Sequence, residues 1–183
     1  EDIFVSLDLT KIINELAINK SKKELNFKNI CGSSLRASIE TSMHAIMPYK
    51  VVLHTHSVDT IAISLLSNSY NYLDKLMKDI NWKFIPYFKP GITLAKAISK
   101  EFQDNSTPAN VLVLANHGLV VGEESIEKAE ALHKEIISRL KQKPRRQITP
   151  NIQKLNSIIK KIPNSRLPVF EVIHSLATDR QLS

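Results

Sequence analysis

Val51-Val52-Leu53-His54-Thr55-His56 is an apolar run that closes on two histidines, and Val58, Ile61, Ala62, Leu65 and Leu66 follow it at helical spacing. The run reads as a strand and the sequel as a helix, so the histidines ride a strand-to-helix turn. Ser57 or Asp59 can cap that helix. A second buried-strand pattern, Val111 to Ala115, ends on Asn116-His117-Gly118, and extended structure resumes over Leu119 to Val121. Side chains two apart on a strand share one face. His54 and His56 can therefore close on one ion, with His117 as a third ligand from a distant strand. Three imidazoles leave a coordination position open, and an open position distinguishes a catalytic metal from a structural one.

The elements around these strands follow from periodicity and breakers. Phe4 to Leu9 alternates in part as a short strand does, and Leu9, Ile12, Ile13 and Leu16 give a helix to Lys20. Lys20 to Arg36 is mostly polar and broken by Gly32-Ser33-Ser34, so it reads as a loop. Ser38 caps a helix from about Ile39 to Met47, with Glu40 in its first turn and Pro48 as its stop. Further helices are expected over Tyr70 to Ile80, Ile92 to Phe102 and Ser125 to Leu140, the last turning Ile126, Ala129, Leu132, Ile136 and Leu140 inward. Lys83 to Pro86 is a short strand. Beyond Lys143, four prolines punctuate a basic tail with helical segments at Ile152 to Ile162 and Phe170 to Ala177.

A chain of 183 residues with 43% hydrophobic content supports one well-buried core. We read one domain over 1–142 and a Pro-punctuated extension over 143–183. A single cysteine, Cys31, excludes an internal disulfide framework and fits a reducing, cytoplasmic setting. No apolar stretch approaches the roughly 20 residues of a membrane-spanning helix, so no membrane partner is expected. The net charge of +7 invites a nucleic-acid reading, but the basic clusters at Lys20 to Lys23, Lys141 to Arg146 and Lys160-Lys161 carry no interleaved aromatics. They read as solvated faces, and no nucleic-acid partner is expected.

Each polar candidate also has a plain reading. His54 and His56 alone are equally a polar strand edge, and Glu40 alone complements a helix dipole. His44, one turn after Glu40, shares its face and is placed in support. His133, His174 and Cys31 are read as structural, and Tyr87 as a buried aromatic.

Ser38-Ile39-Glu40-Thr41-Ser42-Met43-His44, His54-Thr55-His56-Ser57 and Asn116-His117-Gly118-Leu119, in that order and at those intervals, resemble the class II aldolase and adducin head family. The resemblance covers about 4–140. Ser38 to Thr41 and Trp82 to Gly91 also resemble the variant in which this domain is joined to a short-chain dehydrogenase. The resemblance implies a three-layer α/β/α sandwich around a central, largely antiparallel or mixed sheet. It implies Zn2+ or another divalent ion on His54, His56 and His117, and Glu40 as the catalytic acid–base. The implied activity is aldol cleavage of a sugar or sugar-phosphate ketose through an enediolate that the metal stabilises, in a homo-oligomer with sites near subunit interfaces. Epimerase and dehydratase branches and a non-catalytic adducin-like scaffold are the alternatives.

Two departures bear on substrate. The Gly-Asn-x-Ser and Thr-x-x-Gly segments that help hold phosphate in the family are absent upstream of Glu40, and Ile39 stands where a second serine is common. Either the domain begins before Glu1, which the abrupt start favours, or this branch takes another substrate.

Overall fold

The computed structural model describes residues 4–18, 27, 35–103, 107–143 and 151–167. Cys31, His174, Gly32 to Ser34 and the expected helix at Phe170 to Ala177 lie outside them. The chain divides into two compact units, Glu1–Gln142 and Lys143–Ser183. The described part of the second carries one helix, α7 (Ile152–Ile159), whose N-cap Asn151 accepts from the Lys154 amide. No helix among the described residues is long and apolar enough to cross a membrane.

The first unit runs α1 (Leu9–Ile18), α2 (Thr41–Ile46), β1 (Val51–Thr55), α3 (Val58–Ser64), α4 (Ser69–Met77), β2 (Trp82–Ile85), α5 (Ile92–Gln103), β3 (Val111–Leu114), β4 (Gly118–Glu123) and α6 (Ile126–Leu140). The four strands form one mixed sheet in the order β1-β4-β3-β2. β3 and β4 make an antiparallel hairpin and β1 pairs antiparallel with β4. β2 and β3 are parallel, as the long connection through α5 permits.

Alternation along the strands divides the core in two. Leu112, Leu114 and Val120 pack with Met43 of α2, with Met47 just beyond that helix, and with Leu94 and Ile98 of α5. Val111, Val113, Leu119 and Val121 face the other way, against Ile63 of α3, Leu73 and Met77 of α4, and Ile136 and Leu140 of α6. Helices on both faces of one sheet make the three-layer α/β/α architecture that the sequence led us to expect. Burying both faces is also why β3 is apolar at every position.

Three local expectations are corrected. Phe4 to Asp8 forms no strand; Asp8 instead caps α1, its carboxylate accepting from the Lys11 amide at 3.0 Å and its carbonyl from the Ile12 amide. A residue that captures a free helical amide commits the chain to the helix, and among the described residues no strand pairs with this segment. Ile126 is 67% exposed rather than inward. The sheet-facing stripe of α6 runs through Ala129, Leu132, Ile136 and Leu140 as expected, with His133 beside it, while Ser125 caps the helix by accepting from the Lys128 amide. Tyr87 is 58% exposed, not buried.

Candidate metal centre

Glu40 is delivered by a turn. Ser38 accepts the Glu40 amide on its hydroxyl at 3.2 Å and the Thr41 amide on its carbonyl, so α2 starts only at Thr41 and Glu40 becomes its N-cap. An N-cap carboxylate ordinarily bonds the first amides of its helix. That of Glu40 makes no such bond and is directed elsewhere. The helix ends at Met47, which takes an extended conformation before Pro48, and the chain turns into β1.

On β1, the alternation that places Val52 on the α2 face places His54 there too, opposite Val120. His117 comes from the β3–β4 turn. Asn116 holds a left-handed conformation at φ 52°, which asparagine tolerates, and its amide donates to the Ser64 hydroxyl at 2.9 Å. The His117 amide then closes the turn on the Leu114 carbonyl.

These elements bring together the four residues singled out from the sequence. Glu40 Oε1 lies 3.1 Å from His54 Nε2, 3.0 Å from His117 Nε2 and 3.7 Å from His56 Nε2. The side chains of His54 and His117 are 5% and 8% exposed, Glu40 is 21% exposed, and His56 is open at 63%. One ligand atom from each lies within 4.8 Å of all the others. Bonds of about 2.0–2.1 Å to zinc allow ligand atoms to stand at most about 4.2 Å apart, so small side-chain rotations close this set on an ion.

The protonation pattern also fits a cation. The Leu119 carbonyl can only accept, so the His54 Nδ1 that lies 2.9 Å from it carries the proton and donates. A neutral His54 then aims its Nε2 lone pair at a carboxylate oxygen. Two acceptors at that distance need a positive charge between them, either a proton or a metal ion. Burial pushes the His54 pKa down and, with the neighbouring His117 and His56, outweighs the Glu40 charge and the Leu119 carbonyl, so the extra proton is disfavoured. Burial works against the Glu40 carboxylate as well, but the three histidines together overcome it and hold that carboxyl below its ordinary range. His117 Nδ1 is buried without a hydrogen-bond partner among the described residues, while Nε2 is the nitrogen that faces Glu40.

His44 stays outside the cluster. Its amide donates to the Glu40 carbonyl and its ring stands edge-on to His54 with centroids 6.3 Å apart, while burial lowers its pKa against the pull of Glu40. It packs beside the cluster through that ring contact.

Two contacts around these residues were not visible as residue motifs. One is the Leu119 backbone carbonyl, which fixes the His54 tautomer; residue types carry no signal for it. The other is His133, whose Nε2 lies 2.9 Å from the Thr55 hydroxyl. A histidine beside the inward stripe of an amphipathic helix is the signal that could have found it.

Residues 9–142 match the family model described as class II aldolase and adducin N-terminal domain. A Bacillus subtilis (strain 168) protein described as the uncharacterized oxidoreductase YuxG is 37% identical over 92 residues, 50% of this chain and 13% of that protein. The N-terminal class II aldolase domain of a conserved protein from Thermoplasma acidophilum superposes with a TM-score of 0.60 at 24% identity, covering 73% of this chain and 63% of that one. An aldolase II superfamily protein from Pseudomonas syringae gives a TM-score of 0.48 at 17% identity, covering 81% and 58%. The chain thus spans less than two thirds of each of these three relatives.

Proposed function

This chain belongs to the class II aldolase and adducin N-terminal domain family, and from that premise we propose that it is a divalent-metal-dependent carbon–carbon lyase acting on a sugar or sugar-phosphate ketose. His54, His56 and His117 hold the ion, Zn2+ or another divalent metal, and Glu40 is the acid–base. Residues 1–142 form the functional domain and 143–183 an extension to it. The reading gives a cytoplasmic homo-oligomer with sites near subunit interfaces and without nucleic-acid or membrane partners. The resemblance to the dehydrogenase-joined variant agrees with the description of YuxG as an oxidoreductase of which the match covers only a small part.

The observation that carries the proposal is one carboxylate oxygen within 3.0–3.7 Å of three imidazole Nε2 atoms. A bound divalent ion supplies Lewis-acid stabilisation of the negative charge that develops on a ketose carbonyl oxygen during cleavage or condensation. The residues supply the rest. His54 is held in one tautomer by Leu119, so its Nε2 is always available as a ligand. Exposed His56 leaves the cluster open on one side, where a substrate can enter. Glu40, whose carboxylate oxygen faces the three imidazoles, accepts a proton from a substrate hydroxyl or carbon and returns it in the reverse direction.

The test joins metal analysis to turnover. The purified chain is expected to bind one divalent ion per site, and His54→Ala and His117→Ala to abolish that binding. Glu40→Gln, which keeps the shape but cannot take a proton, is expected to retain the ion and to lose about 10²–10⁴-fold in turnover on a panel of ketoses and ketose phosphates. Product identification on that panel separates cleavage from epimerisation and dehydration. A wild-type chain that takes up no divalent ion, or full turnover in Glu40→Gln, refutes the proposal.

A further inference from the structure

Among the described residues β1 pairs on one side only, with β4, and Thr55 opposite Leu119 is the last pair of that ladder. His56 lies just beyond that pair, 63% exposed, with Glu40 Oε1 3.7 Å away. The β1–β4 ladder therefore does not fix the direction in which His56 points. Thr55, between the two histidines, faces the opposite side of the sheet by the alternation of the strand. There its hydroxyl meets His133 Nε2 at 2.9 Å.

His133 is well placed to act as an anchor. It stands beside the α6 stripe of Ala129, Ile136 and Leu140, each fully buried, and the packing of Ile136 and Leu140 into the second core fixes the helix against the sheet. A polar ring beside such a stripe is retained at a cost unless it is bonded, and Thr55 is the partner that satisfies it. Side chains on the two faces of a strand turn together when the strand rolls about its axis. A bond that holds Thr55 toward α6 therefore holds His54 and His56 toward α2.

We propose that His133 is a positioning residue of the metal centre: its bond to the Thr55 hydroxyl fixes the roll at the end of β1 and so aims His56 at the ion. This rests on the reading of Glu40, His54, His56 and His117 as a metal centre. His54 is independently oriented by Leu119, so the main effect falls on His56. Contacts behind a ligand commonly change metal affinity by about 10–100-fold, and His133 acts one step further back, through the strand.

The experiment is a Co2+ and Zn2+ titration of the full chain against a competing chelator, with the Co2+ ligand-field spectrum as a second readout. His133→Ala and Thr55→Val are each expected to weaken affinity by about tenfold and to alter the Co2+ spectrum. The double variant should be no weaker than either single one, because both remove the same bond. His133→Gln, which puts an amide where Nε2 stood, should recover most of the loss. A merely structural histidine would lower the melting temperature of the metal-free chain and leave affinity unmoved. Affinities of both single variants within about twofold of wild type, the size of ordinary non-coupling scatter, overturn the proposal. If His133→Ala does not fold, Thr55→Val decides. A wild-type chain that binds neither ion overturns the metal centre and this inference with it, whereas binding that is indifferent to position 133 overturns the inference alone.

Discussion

Gly118→Ala probes how closely the site depends on backbone approach. A Cβ at Gly118 would run into the Thr55 carbonyl oxygen of β1, stand 3.2 Å from the Thr55 carbonyl carbon and 3.3 Å from His54 Cε1. Both Thr55 atoms are backbone, so no flexible side chain can yield. β4 must move from β1 at the end of the ladder where Leu119 receives the His54 Nδ1 proton. Overpacking of this kind costs about 1–3 kcal/mol, and loss of the His54–Leu119 bond adds about 1 kcal/mol. The sum of about 2–4 kcal/mol, at about 2–4 °C per kcal/mol for a chain of this size, lowers the melting temperature by about 4–16 °C. Freed from Leu119, His54 loses its enforced tautomer, and metal affinity should fall about 10–100-fold. Thermal unfolding with excess chelator gives the first quantity, and competition titration of the folded variant gives the second. A variant that melts like wild type, or that loses stability while binding metal as tightly, refutes the claim that this glycine is required for clearance at the site.

Gly122→Ala makes the matching test at the far end of β4, where the new Cβ would enter the ring of Tyr49, whose hydroxyl donates to the Pro108 carbonyl at 2.8 Å. It should cost about 1–3 kcal/mol of stability and leave metal affinity unchanged; a drop in affinity as large as that of Gly118→Ala would remove the distinction between the two glycines. Asp79→Asn bears on pH. The bond from Arg139 Nη2 to Asp79 Oδ2, 2.7 Å, holds the Asp79 carboxyl down from 3.8 to about 2. A carboxyl depressed in the folded state stabilises above its unfolded pKa and ceases to as pH falls through the folded value. The stability gap between wild type and Asp79→Asn should therefore be present at pH 6 and close between about pH 4 and 2, and parallel denaturation curves across that range would contradict it.

The sheet and most of its helices are legible in the sequence because their signals are local. Val111 to Leu114 is apolar at every position, and Ser57 and Ser125 stand where caps belong, each accepting an amide three residues on. The misread segments are those whose outcome depends on a partner. Phe4 to Asp8 alternates like a strand, but a strand needs an edge to join, and Asp8 had a helix to cap. Ile126 looked inward because it keeps helical spacing with Ala129 and Leu132; those two do turn inward, whereas Ile126, in the first turn, stays in solvent. Glu40 was legible as a residue and illegible as a position: whether it sits within a first turn or at the N-cap depends on the Ser38 hydroxyl, and only the N-cap leaves its carboxylate free to face the histidines.

The cluster is also a consequence of register. His54 shares the α2 face because Val52 does, and Val52 does because β1 pairs with β4 so that His54 lies opposite Val120. Slipping β1 by one residue would turn His54 and His56 toward α6 and leave Thr55 beside Glu40. What prevents the slip lies away from the metal centre. Val120 belongs to one half of the core, while Leu119 and Val121 belong to the other, so β4 cannot rotate without exposing fully buried side chains. β1 inherits its register from β4 through the ladder, from Leu119 through His54, and from α6 through Thr55. Large-to-small changes at Leu119 or Val121 should consequently disturb metal binding although neither side chain faces the ligands, because the direction of the imidazoles is set by packing on the other side of the sheet.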